Sequence, residues 1–187
     1  MLPLNDTHRV LILPGWQDSG PDHWQSRWQA RHGFERVQQA DWLWPRRGDW
    51  MARLDEVLLA DARPQRPVVL VAHSLGCQLV AAWAAHSQHT ARVHAALLVA
   101  PPDTAHAHTP PQLAGWRHIV RQRLPFAAVV IYSEDDPFCA PDRARALAAD
   151  WGAQAYSLGA AGHLNADSGL GDWPEGLAYL QPLLGRP

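Results

Sequence analysis

"VVLVAHSLGCQLVAAW", residues 68–83, is the stretch on which the fold turns. Its first half is apolar up to His73 and rich in β-branched residues. That pattern fits a strand covered on both faces, as in a parallel sheet flanked by helices. Its second half, from Leu75 to about Ser87, is Ala-rich and reads as a helix. Between them stands Ser74, with Ala72 and Gly76 two positions to either side. A sharp strand-to-helix turn strains the backbone of its central residue and exposes that side chain. Bulky residues two positions away would clash there, which accounts for the small ones. The pattern is G-x-S-x-G with Ala in the first position. Five residues alone say little, but a buried strand before them and a helix after them form the context this turn requires.

Outward from Ser74, short apolar runs alternate with segments of helical period. Strands are expected at 9–13, 36–40, 67–73, 93–100 and 126–133, with a weaker one at 153–158. Helices are expected at 21–32, 48–62, 75–87, 112–123, 141–152 and 172–184. The first should be capped near Ser19 or Gly20 with Pro21 near its first position, and the second by Asp49. Trp24 and Trp28 share one face of the first, and Trp50, Leu54, Val57 and Leu58 form a stripe on the second. This alternation predicts an α/β fold with about six mostly parallel strands and helices on both faces. With 187 residues, no internal repeat and no linker, a single domain spanning 1–187 is expected.

Composition narrows the function classes. A net charge of -2 argues against a nucleic-acid or membrane-surface partner. All 16 basic residues are Arg, so lysine chemistry is ruled out. The first residues show no charged n-region, long apolar run or cleavage site, and no run approaches the ~20 apolar residues of a membrane span. A cytoplasmic location with Cys77 and Cys139 reduced is the expectation.

A serine hydroxyl is a poor nucleophile until a base takes its proton. In an open α/β sheet, ligands bind at the carboxyl ends of the strands, where Ser74 lies. The strand 126–133 runs into "SEDDPFCAP", which offers Asp135 and Asp136. The strand 153–158 runs into "LGAAGHLNADSGLG", which offers His163. Ser, Asp and His thus fall at strand ends in the chain order of α/β-hydrolases. His163 would be the general base for Ser74, and Asp136 would orient the imidazole. The oxyanion would be bound by two backbone N–H groups. One should belong to Leu75, and the other to the loop "LPGWQDSG", with Trp16 preferred and Gln17 as the alternative.

The chain resembles a family of small α/β-hydrolase-fold serine hydrolases that includes the animal retinoblastoma-binding serine hydrolase and many bacterial proteins. "LPGWQDSGPDHWQSRW", "DWLWPRRGDW", "VAHSLG", "LLVAPPD", "SEDDPF" and "GHLNADSGLGDWPEG" carry the likeness, over residues 11–176. The pairing of the His-Trp helix with the last of these points to the bacterial branch. The resemblance implies a compact hydrolase fold with a minimal cap or none, and a Ser-Asp-His triad. It favours Asp136 over Asp135, because the family's acid directly precedes Pro-Phe. Ser133 stands where Gly is common. The animal member's L-x-C-x-E motif has only Leu75-Gly76-Cys77-Gln78-Leu79 as a counterpart, without the Glu, so that binding role is not carried over.

Other residues have plainer readings. His73 beside the nucleophile is a packed or hydrogen-bonded neighbour, and His23 either fixes the first loop or has a helix-surface or core role. Cys77 is core filler. The pairs His86 and His89, and His106 and His108, lack the carboxylates or thiolates that would complete a metal site, so neither metal nor cofactor is expected. The expected activity is cleavage of a small ester or amide. The alternatives are a protein-binding module that kept the fold, or an acyltransferase. Only about 26 residues separate the strands 93–100 and 126–133, which leaves room for a small lid and an open site.

Overall fold

Alternate residues of each central strand go to opposite faces of the sheet, as the two-residue period of a strand requires. Val10, Ile12, Val69, Val71, Leu97 and Val99 pack on one side with Trp24, Trp28 and Leu180. Leu11, Leu70, Ala72 and Leu98 pack on the other with Trp50, Leu54, Trp83, Leu147 and Trp151. The computed structural model describes residues 8–61, 63 and 65–185. Residues 1–7, part of the stretch read for a leader, and Ala62, at the end of the second expected helix, lie outside the described residues.

The strands are β1 (Arg9–Leu13), β2 (Glu35–Arg36), β3 (Val68–His73), β4 (Val93–Val99), β5 (Ala127–Tyr132) and β6 (Gln154–Ser157). They form one sheet in the order β2-β1-β3-β4-β5-β6, and every neighbouring pair is parallel. The helices are α1 (Trp24–His32), α2 (Arg47–Leu59), α3 (Leu75–His86), α4 (Pro141–Trp151) and α5 (Pro174–Leu183). α1 and α5 cover one face, and α2, α3 and α4 the other. Strand order reverses between β1 and β3, so the crevice at their carboxyl ends is a topological switch point, where such sheets bind ligands. No described helix is long and apolar enough to cross a membrane.

Four local expectations are corrected. The strand expected at 36–40 is only Glu35–Arg36. After Val37 donates to the Ile12 carbonyl at 2.9 Å, the partner strand runs into Pro14, which has no N–H to extend the ladder. The helix expected at 112–123 is a short 3-10 segment, Pro111–Trp116. Its further carbonyls are taken from elsewhere: Trp116 by the Thr104 hydroxyl, His118 by Arg47 and Val120 by the Trp151 indole. The first helix begins at Trp24, capped by His23, whose Nδ1 accepts from the Gln25 N–H at 3.1 Å. Ser19, Gly20 and Pro21 therefore precede the helix. Finally, α2 starts at Arg47 after Arg46, and Asp49 sits within its first turn rather than at its cap.

Candidate active site

Ser74 sits between β3 and α3 with φ 53° and ψ -123°, a backbone conformation rare for a residue with a side chain. The turn is fixed at both ends. The Ser74 N–H donates to the Val99 carbonyl, and its own carbonyl accepts from the Cys77 N–H, both at 2.9 Å. A Cβ on Gly76 would lie 2.3 Å from the Leu13 carbonyl oxygen. Only glycine lets α3 start this close to β1. One on Gly15 would lie 2.8 Å from the Ser74 Cβ, so the loop after β1 also passes against the turn at Ser74.

His163 reaches Ser74 from the loop after β6. Its Nε2 lies 2.8 Å from the Ser74 Oγ. Its Nδ1 lies 3.0 and 2.9 Å from the two carboxylate oxygens of Asp136. A carboxylate facing Nδ1 selects the tautomer with the proton there and leaves the Nε2 lone pair facing the hydroxyl.

The two neighbouring acids part company. Asp136 is buried behind the imidazole, and Asp135 is exposed. The Asp135 carboxylate accepts from the Ser133 hydroxyl at 2.7 Å and from the Gly162 N–H at 2.8 Å. Those hydrogen bonds, the Ser133 hydroxyl first, hold its pKa below the ordinary carboxylate value. Asp135 thus ties the loop that carries His163 to the end of β5. The buried Ser133 hydroxyl also accepts from the Ala161 N–H at 2.9 Å, a role a glycine at that position could not fill.

The loop after β1 offers the two expected donors, and one is occupied. The Gln17 N–H donates to the Trp42 carbonyl at 3.0 Å. Trp16 and Leu75 both line the cavity over Ser74. This cavity has a volume of about 340 Å³, and Gln17, His23, Leu113 and Phe138 are also among its walls.

Several supporting residues were read only as bystanders or not at all. His73 is buried, and its Nε2–H donates to the His163 carbonyl at 2.9 Å. Burial, first of all, holds its pKa well below the ordinary histidine value, with His23 and His163 adding to the effect. The Trp24 indole donates to the Leu164 carbonyl at 2.8 Å, which pins the same loop from α1. Gln25 is fully buried and donates to the carbonyls of Leu13, at the end of β1, and Val71, within β3, while accepting from Ser19. A glutamine on a helix of Trp24 and Trp28 gives no sign of this in sequence. Cys77 and Cys139 are free and buried, and burial raises both thiols, Cys139 to about 12. Among the described residues, no group of three or more His, Cys, Asp or Glu is placed to hold a metal ion.

A family model described as "Serine hydrolase" matches residues 10–182. The chain belongs to the serine hydrolase family. Among solved structures, this serine hydrolase is similar to a YdeN-like hydrolase from Pectobacterium atrosepticum, at 26% identity and TM-score 0.84, covering 97% of this chain and 93% of that one. The ydeN product of B. subtilis shares 22% identity at TM-score 0.73, with 96% and 100% covered. The carboxylesterase CesB of Bacillus subtilis shares the fold at 14% identity and TM-score 0.62, with 96% and 83% covered. No curated protein matches the chain. The serine hydrolase fold expected from the sequence, a compact six-stranded parallel sheet with helices on both faces, is the one found.

Proposed function

We propose that this serine hydrolase cleaves a small ester or amide through an acyl-enzyme on Ser74, with His163 as general base and Asp136 as its orienting acid. The observation that carries this reading is the single imidazole held between a hydroxyl and a buried carboxylate, 2.8 Å from one and 2.9 Å from the other. His163 Nε2 takes the Ser74 proton as Oγ attacks the carbonyl carbon. The resulting oxyanion accepts from the Leu75 N–H at the start of α3 and from Trp16, since the Gln17 N–H is already committed. As the tetrahedral intermediate collapses, the imidazolium protonates the leaving oxygen or nitrogen. Water then enters, gives a proton to His163, and attacks the acyl-enzyme. Collapse releases the acid and returns the proton to Ser74. A cavity of about 340 Å³ fits a short acyl group, and this supports a small substrate over a long-chain lipid ester.

Fluorophosphonate labelling with mass mapping tests the reading, because the probe reacts with an activated serine. Labelling is expected at Ser74, absent in Ser74→Ala and reduced at least about 100-fold in rate in His163→Ala. A folded protein that takes no label would instead support a binding module.

A further inference from the structure

The cavity over Ser74 meets a second, larger one of about 650 Å³. Four apolar residues wall both: Pro102, Pro110, Leu113 and Phe138. They form a saddle between the nucleophile and a hollow that includes Thr104, His106 and His108. Phe138 is the unusual member. Its ring packs against the His163 ring in an edge-to-face contact, with centroids 4.6 Å apart, yet it remains 57% exposed. Its backbone is held at both ends, by N–H donation to Asp136 at 2.9 Å and by acceptance from the Asp103 N–H at 2.9 Å. A ring serving only to shield the imidazole would lie mostly covered. This one is fixed in place and offers more than half of its surface outward.

The chemistry decides which half of a substrate meets that ring. The leaving atom must receive its proton from His163 Nε2, while the oxyanion faces Leu75 and Trp16. The leaving group therefore lies on the His163 side of the scissile carbon, where Phe138 stands. The acyl half takes the rest of the cavity, whose walls include Gln17, Gly20 and His23.

We infer that the saddle of Phe138, Leu113, Pro110 and Pro102 is the leaving-group subsite, and that it takes a flat aromatic alcohol of the benzylic kind. Aromatic rings recognise one another by edge and offset faces, which a pre-positioned phenyl offers at little entropic cost. The inference rests on the hydrolase reading and adds its substrate class.

Benzyl acetate and ethyl acetate share an acyl group and have alcohols of nearly equal acidity, so the ratio of their kcat/KM values isolates recognition of the leaving group. The wild type is expected to prefer the benzyl ester by at least about 10-fold. Phe138→Tyr should keep the preference, and Phe138→Ala should reduce it to within about 3-fold. Leu113→Ala, across the saddle, should erode it partially. Should Phe138→Ala not fold, Phe138→Leu keeps the bulk and removes the aromatic face. Equal kcat/KM values in the wild type, or an equal loss for both esters in Phe138→Ala, would overturn the inference, since the ring would then only support His163. Where Ser74 takes the fluorophosphonate but neither ester turns over, protection from labelling gives the answer. Benzyl alcohol should protect at lower concentration than ethanol, and equal protection rejects the subsite. An unlabelled Ser74 would instead remove the hydrolase reading beneath it.

Discussion

Asp135 and Asp136 are adjacent in sequence and opposite in environment, and a single-atom exchange separates their roles. In Asp136→Asn an amide would face His163 Nδ1. Donation from the amide would favour the tautomer with the proton on Nε2, which cannot accept from Ser74. A fall in kcat of about 10³- to 10⁴-fold is expected, with little change in the melting temperature. In Asp135→Asn the side-chain oxygen can still accept from both Ser133 and Gly162, which share one carboxylate oxygen, so kcat should fall by less than about 10-fold, with at most a small drop in melting temperature. Steady-state kinetics and a thermal melt on the two variants read both effects. The reverse order of losses would make Asp135 the acid. The same residues show what a sequence can carry. Two carboxylates at one strand end are legible, but choosing between them needs the family's pattern or the burial itself. Ser133 was legible only as a departure from a common glycine, because its hydrogen bonds go to Gly159 and Ala161 on another loop.

At the scale of elements, the strand-turn-helix around Ser74 was readable because its rules are local: a continuous apolar strand, small residues beside the turn, and an immediate helix. The segment 112–123 was not readable for the opposite reason. Its carbonyls are claimed by Thr104, Arg47 and Trp151, none of which lies near it in sequence. The cap of α1 was missed because the ring nitrogen of His23 does what a Ser or Asp usually does. The tight seat of α3 on β1 leads to a stability prediction. In Gly76→Ala the new methyl would meet the Leu13 carbonyl at 2.3 Å and the Pro14 carbonyl at 3.0 Å, and backbone cannot swing aside as a side chain can. The expected cost is about 1–3 kcal/mol or more. For a domain of this size that lowers the melting temperature by roughly 2–4 °C per kcal/mol. Gly48 is the control, since it lies exposed in α2 with nothing within 4 Å of an added Cβ. Gly48→Ala should be neutral, or stabilising by up to about 1 kcal/mol. Equal melting temperatures for Gly76→Ala and the wild type would mean that α3 is not pressed against β1.

At the scale of the whole molecule, the packing that supports the site also sets a limit in acid. Three imidazoles lie in a row beneath the cavity, His163 to His73 with centroids 5.0 Å apart and His73 to His23 at 4.6 Å. Burial, aided by Arg36 and His163, holds His23 down at about 3, and burial first of all holds His73 well below 6.5. His23 must also stay neutral for its hydrogen bond. His23 Nδ1 accepts from the Gln25 N–H in the first turn of α1, and a charged ring has no lone pair there. In the unfolded chain both histidines protonate near 6.5. Below that pH the unfolded state binds protons that the folded state refuses, so stability is complete above about 6.5 and declines as pH falls toward 3. His23 contributes a slope of about 1.4 kcal/mol per pH unit inside that window, and His73 adds in the same direction. Domains hold only about 5–15 kcal/mol in all, so this decline takes a large share of the total as the solution becomes acidic. Urea unfolding followed from pH 8 to pH 4.5 should show this decline in the wild type. His23→Asn keeps an oxygen to cap α1 and cannot titrate, so its curve should be shallower below pH 6 by about one proton. If the two slopes coincide, His23 is protonated in the folded protein, and its burial beneath the cavity does not have the electrostatic consequence argued here.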